Sequence, residues 1–165
     1  MGAPDGFRSI GFELASLGYA ASRGFRDVLA PYELDPREFG VMRYVAAQEG
    51  QSQQALADLL QIPPSRMVAI VDSLEDRGLI ERRPHATDRR VRELYVTGAG
   101  HALLKEASDE ALSYERSLTA SFTAAERKQM LGLLDRLAAK LEIGRGAARF
   151  ASPDELDDST PTTDA

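Results

Sequence analysis

Apolar residues recur every three to four positions along most of this chain, and one stretch breaks the rhythm. Ile10, Leu14, Leu17, Ala21, Phe25, Val28 and Leu29 follow a period of about 3.6 residues. They predict a first helix from Arg8 to Ala30, ended by Pro31. In LDPREFGVMRYVAAQ, Asp35 is placed to cap a second helix, Pro36 takes its first position, and Glu38 stands three residues after the cap. That is the layout of a capping box with proline where its missing N–H costs nothing. The helix is expected to run from Pro36 to about Gln48, stopped by Gly50. GQSQQALADLLQI predicts a short helix capped by Ser52 and buried through Ala55, Leu56, Leu59 and Leu60. After the QIPP turn, a longer helix from Pro64 to Arg77 directs Met67, Ile70, Val71 and Leu74 inward, and Gly78 closes it.

The period changes at LIERR and RELYVT, where branched and aromatic residues predict two short antiparallel strands around a loop. Helical spacing then returns. Thr97 caps a long helix with Leu103, Leu104, Ala107, Ala111, Leu112 and Leu118 on one side. Thr123 and Glu126 form a second capping box for a last helix, on which Met130, Leu134, Leu137 and Leu141 repeat. Gly144 and Gly146 are expected to end the ordered body. Short helix, tight turn, longer helix and ribbon is the order of a winged helix-turn-helix. The fold class expected is therefore mainly α with a small β-hairpin wing, the winged helix-turn-helix lobe spanning 36–97. The helices over 8–30 and 99–143 would leave long apolar faces bare on a lone subunit, which calls for a second copy of the chain. A homodimer joined through this helical dimerisation lobe is the expected assembly.

Composition adjusts this outline in three places. The chain has 165 residues, 43% of them hydrophobic, with a formal charge of −6. From Ala151 to Ala165 there are five acids and no base, so the body is almost neutral and the 144–165 segment reads as a disordered acidic tail. The low overall charge is thus no argument against a polyanionic partner, because local patches decide binding. With no cysteine, disulfides, thiolate metal sites and thiol-oxidation switching are excluded. The first thirty residues carry Arg8, Glu13, Arg23, Arg26 and Asp27 without an apolar core, which points away from a secretory signal or membrane span and towards a cytoplasmic protein.

Charge of the other sign gathers at one place. In RRPHATDRRVRELYVT, residues 82 to 97, five of sixteen positions are arginine, against only Asp88 and Glu93. A hairpin tip bearing Arg89 and Arg90 is suited to a narrow minor groove, where the negative potential is strongest. Arg82, Arg83 and Arg92 near its base are suited to phosphates, which give affinity without sequence information. Asp88 can hold the Arg90 guanidinium in direction. On the Pro64–Arg77 helix the outward positions are Ser65, Arg66, Ala69, Asp72, Ser73 and Asp76. Base edges are met at the N-terminal end of such a helix. Arg66 can pair bidentately with guanine, Ser65 can read an edge or a phosphate, and Val68 and Ala69 offer methyl contacts, as to thymine. Asp72 and Asp76 should keep the far end away from phosphate.

These segments resemble the MarR family of transcription regulators. SQQALADLL, MVAIVDSLEDRGLIERRP and TDRRVRELYVTGAG match the family's helix-turn-helix and its D-x-R wing followed by L-T-x-x-G, and the likeness extends over roughly residues 8 to 143. The resemblance implies that Asp88 and Arg90 form the wing pair, with Arg90 in the minor groove. It places Ser65 and Arg66 at the start of the recognition helix and Ser52 near a phosphate, with the adjoining Gln53 counted as DNA-facing. Val68 and Ala69 stand where many members have threonine and a basic residue, and Val96 replaces the usual leucine before Thr97. It further implies a homodimer on a near-palindromic operator in double-stranded DNA, repression as the mode of action, and release by a small aromatic or lipophilic effector. Phe12, Tyr19, Arg43 and Tyr44 are the candidate ligand-lining residues. The alternative is a winged helix that binds protein instead of DNA, which has no need of clustered arginines. Nothing signposts catalysis, a metal or a cofactor: the only histidines are His85, in the wing loop with a possible DNA contact, and His101, at the start of a helix.

Overall fold

The computed structural model describes residues 9–85, 87 and 91–141. The expected start at Arg8, the wing-tip residues Asp88, Arg89 and Arg90, and the acidic tail over 144–165 lie outside the described residues. The first helix, α1 (Ile10–Leu29), is capped by Ser9, whose hydroxyl accepts from the Phe12 N–H at 3.1 Å. Pro31 then tightens the chain into a 3-10 turn over Ala30–Tyr32, and Glu33 follows at φ +53°. Helix α2 (Pro36–Ala47) has the capping box read from its sequence: Asp35 Oδ1 accepts from the Arg37 and Glu38 N–H groups, and Glu38 accepts from the Asp35 N–H.

Next come β1 (Gln51–Ser52), α3 (Gln53–Leu60) and α4 (Pro64–Asp76). The wing strands are β2 (Ile80–Pro84) and β3 (Arg92–Val96), followed by α5 (Gly98–Leu118) and α6 (Ala124–Lys140). The sheet is antiparallel in the order β1-β3-β2, so the expected two-stranded wing is one side of a three-stranded sheet. Gln51 pairs with Leu94 and Ser52 with Glu93, a strand too short for any periodic signal.

The core lies between α2, α3, α4 and the inner face of the sheet. Phe39, Met42, Leu56, Leu60, Met67, Leu74, Ile80 and Leu94 are its largest fully buried side chains, with Leu29 entering from the end of α1. All four inward positions predicted on α4 are buried. On α3 the buried set is Leu56, Ala57 and Leu60. Ala55 is exposed and Leu59 is 48% exposed, a correction of the expected stripe. In so short a helix only one i, i+4 pair can reach the core, and Ala57 flanks it.

Helix α5 packs against α1 and α2. Near its start Leu104 and Ala107 are buried, Leu103 and Ala111 are partly so, and towards its end Leu112 and Leu118 are exposed. The single side predicted for α5 is therefore divided: its first half seals the lobe, and its second half leaves it. Helix α6 buries no residue in the single chain. Among the described residues no helix is long and apolar enough to cross a membrane.

Candidate nucleic-acid interface

Burying Met67, Ile70, Val71 and Leu74 leaves the opposite face of α4 to solvent. Ser65, Arg66, Val68, Ala69, Asp72 and Asp76 are exposed, as the 3.6-residue repeat requires. Ser73 departs from the expected outward set. It is half-buried, and its hydroxyl donates to Glu38 Oε1 on α2 at 2.8 Å. Arg77, beside it, donates to the Tyr32 carbonyl at 3.1 Å and faces Glu38 at 3.6 Å. These contacts tie the end of α4 to α2. The start of α4 carries no side-chain cap, and Pro64 occupies its first turn. At the neighbouring α3, Ser52 is the cap, its hydroxyl accepting from the Ala55 N–H at 3.1 Å.

The wing arginines separate by strand geometry. Side chains alternate across a strand, and the register pairs Arg82 with Leu94 and Arg83 with Glu93. Arg82 thus shares the inner face with buried Ile80, Leu94 and Val96, while Arg83 takes the outer one. The Arg82 guanidinium bonds Gln53 Oε1 on α3 through Nε at 3.2 Å and Nη2 at 3.0 Å, Asp72 on α4 at 2.5 Å, and Glu75. Partial burial works against that charge, but hydrogen bonds to Asp72 and Glu75 outweigh it and hold the guanidinium above its usual range. Arg83 stacks 4.2 Å over the Tyr95 ring and bonds Glu81. The Tyr95 hydroxyl donates to Glu93 at 3.0 Å, which with burial and the carboxylate charge raises the phenol above its ordinary value.

The three arginines expected at phosphates thus stand in different surroundings. Arg82 is spent inside the lobe, and Arg83 is held on the outer face of the sheet. Arg92 is exposed and, with Ser52, Gln53, Gln54, Arg82 and Val91, lines an open cleft of about 350 Å³ between the wing base and the start of α3. Ser52, Gln53 and Arg92, far apart in sequence, meet there. His85 lies 3.7 Å from Glu93, and its Nδ1 accepts from the Thr87 N–H at 3.2 Å. His101 lies 3.3 Å from Glu49 and links the start of α5 to the end of α2. Asp88, Arg89 and Arg90 fall outside the described residues.

A second cleft, about 290 Å³, opens between α1, α2 and α5, lined by Phe25, Phe39, Arg43, Ser108, Ala111, Leu112 and Glu115. Phe25 meets Phe39 edge-on at 5.8 Å, and the Arg43 guanidinium lies 5.7 Å from the Phe39 ring centroid. Of the four lining residues expected from sequence, only Arg43 lines this cleft. Tyr44 packs against the core instead, and Phe12 and Tyr19, 67% and 53% exposed, face outward from α1. An aromatic residue on a helix has two faces to choose from, and the choice depends on neighbours almost a hundred residues away. Phe25 was legible only as part of an apolar repeat, and nothing in the local pattern singled out Phe39.

A model of the MarR family matches residues 32–91. Over 129 residues the chain is 33% identical to a protein of Thauera aromatica described as a transcriptional regulatory protein for the hcr operon, spanning 78% of each. The chain belongs to the MarR family. This MarR-family chain superposes on the transcriptional repressor CouR bound to a 23-mer DNA duplex with a TM-score of 0.73, at 30% identity over 79% of this chain and 92% of that one. CouR from Rhodococcus jostii RHA1 bound to p-coumaroyl-CoA gives a TM-score of 0.66 at 28% identity, over 79% and 92% of the two chains. The winged helix-turn-helix of a MarR-family transcription regulator is thus the frame that holds both clefts.

Proposed function

We propose that the protein is a cytoplasmic transcriptional repressor that binds a near-palindromic operator as a homodimer and is released by a small aromatic or lipophilic ligand. The observation that carries this reading is the solvent exposure of the N-terminal half of α4. Ser65, Arg66 and Ala69 stand exposed on a helix whose other side is fully committed to the core. A helix of that size fits the major groove, where Arg66 is suited to guanine O6 and N7 and the methyls of Val68 and Ala69 to thymine. Arg92 beside Ser52 and Gln53 is suited to the flanking phosphates, and Arg89 and Arg90, aided by Asp88, to the minor groove. CouR, solved on duplex DNA, supports the DNA reading, and CouR solved with p-coumaroyl-CoA supports a small-molecule ligand, for which the cleft of Phe25, Phe39 and Arg43 is the candidate site. An aromatic ligand there would stack among the phenylalanines, with Arg43 at hand for an acidic group.

Selection from random duplex DNA tests the whole reading. A two-fold symmetric site with half-sites about 34 Å apart is the expected result. On that site Arg90→Ala should weaken binding more than about tenfold, roughly 1.4 kcal/mol, in a mobility-shift assay, without loss of fold. Enrichment of no sequence, together with binding indifferent to salt, would turn the winged helix into a protein-binding module.

A further inference from the structure

Arg82 and Arg83 are neighbours in sequence and opposites in the fold, and only Arg82 joins three separate elements. It sits on β2 and reaches Gln53 on α3 and both Asp72 and Glu75 on α4. Its backbone N–H also donates to Glu75 Oε1, at 3.1 Å. A guanidinium has five N–H groups. Nε serves Gln53, Nη2 serves Gln53 and Asp72, and Nη1 serves Glu75, so four are in use. A bidentate phosphate contact needs two parallel N–H groups, which this side chain, only 18% exposed, can supply only by giving up its bonds to Gln53 or to a carboxylate and so releasing the wing from α3 or α4.

We propose that Arg82 is a positioning residue: it fixes the angle between the recognition helix and the wing, and makes no phosphate contact of its own. The proposal rests on the DNA-binding reading above. Reading an operator requires α4 and the wing to dock together, one in each groove. A change in their angle takes one of them out of register while leaving the number of phosphate contacts unchanged. Asp72 gains a second meaning. Its carboxylate stands on the groove-facing side of α4, and the guanidinium that orients it also offsets its charge towards DNA.

The test uses the full chain, the selected duplex and an unrelated duplex, each titrated across a salt series. Arg82→Lys keeps the charge but replaces a planar fork with a single ammonium, which cannot span acceptors on two helices. Affinity for the selected duplex should fall about tenfold, equivalent to roughly 1.4 kcal/mol, with affinity for the unrelated duplex and the slope of log K against log salt unchanged. Glu75→Gln removes a negative charge near DNA, so field repulsion alone predicts tighter binding; positioning predicts a similar loss, confined to the selected duplex. If Arg82→Lys does not fold, Glu75→Gln decides the matter alone. Wild-type behaviour of both variants overturns the positioning role and leaves DNA binding intact. A joint fall on both duplexes with a shallower slope overturns it too, by making Arg82 a phosphate contact. A wild-type chain that binds no duplex removes the DNA reading itself.

Discussion

Glu126 shows how one side chain works at a helix start. Its carboxylate accepts from the Thr123 N–H and from the Thr123 hydroxyl, each at 2.8 Å, while its own N–H donates back to that hydroxyl at 3.3 Å. The bond from the backbone, then that from the side chain, hold the carboxyl below its usual range. A depressed carboxyl adds stability above its ordinary titration range, and the addition is lost as pH falls through the folded value. Glu126→Gln should therefore lower the thermal midpoint more at pH 7 than at an acid pH below the ordinary carboxylate range, where protonation is removing the advantage. Melting curves at the two pH values check this, and an equal difference at both would dissociate Glu126 from the acid response. Both capping boxes, here and at Asp35, were legible in sequence because every participant lies within three residues.

Between elements, two helical glycines set how closely their helices approach a neighbouring segment. A Cβ on Gly100 would collide with the Leu79 carbonyl oxygen and lie 2.8 Å from Val96 Cγ1. Thr97, the cap of α5, donates through its hydroxyl to the Gly78 carbonyl at 2.7 Å in the same corner. Backbone there cannot give way. At Gly24 on α1 the collision is with the Tyr114 hydroxyl of α5, the end of a side chain that donates to the Ala21 carbonyl at 3.0 Å. Gly100→Ala should thus cost about 2–3 kcal/mol or more and Gly24→Ala nearer 1 kcal/mol. Tyr114→Phe should restore part of the Gly24→Ala loss and none of the Gly100→Ala loss, as measured by urea unfolding. Equal costs at the two glycines would show that α5 is not pinned at its start. Neither contact was visible in sequence, since a glycine in a helix reads the same whether it faces open space or a neighbour.

At the scale of the molecule, the apolar residues that lack a core matter most. Ile10 and Leu17 on α1, Leu131 on α6 and Leu141 at its C-cap are each more than 60% exposed, and α6 buries nothing in the single chain. Exposed apolar area of this extent marks an interface, and two-fold pairing is the commonest way for one surface to cover itself. The chain should sediment as a dimer. Leu134→Asp, on α6, should shift it towards monomer and weaken operator binding with it, because two half-sites would no longer be held by one particle. Sedimentation equilibrium of wild type and variant decides this; a monomeric wild type would leave those helices without the assigned purpose.

Helices, caps and the winged helix-turn-helix order follow from the chain read alone, since each depends on residues a few positions apart and on a repeat that a core must impose. The face of α4 offered to solvent was legible for the same reason. The division of labour among the wing arginines was half legible: strand alternation already sets Arg82 and Arg83 on opposite sides, but Gln53, Asp72 and Glu75 become partners only once α3, α4 and the sheet have packed. The third strand was beyond sequence altogether, because Gln51 and Ser52 are extended by pairing with Leu94 and Glu93 rather than by any preference of their own. The cleft of Phe25, Arg43 and Glu115 likewise exists only where three helices meet. Local periodicity is written in neighbouring residues, whereas partners, edges and cavities are made by segments that only folding brings within reach.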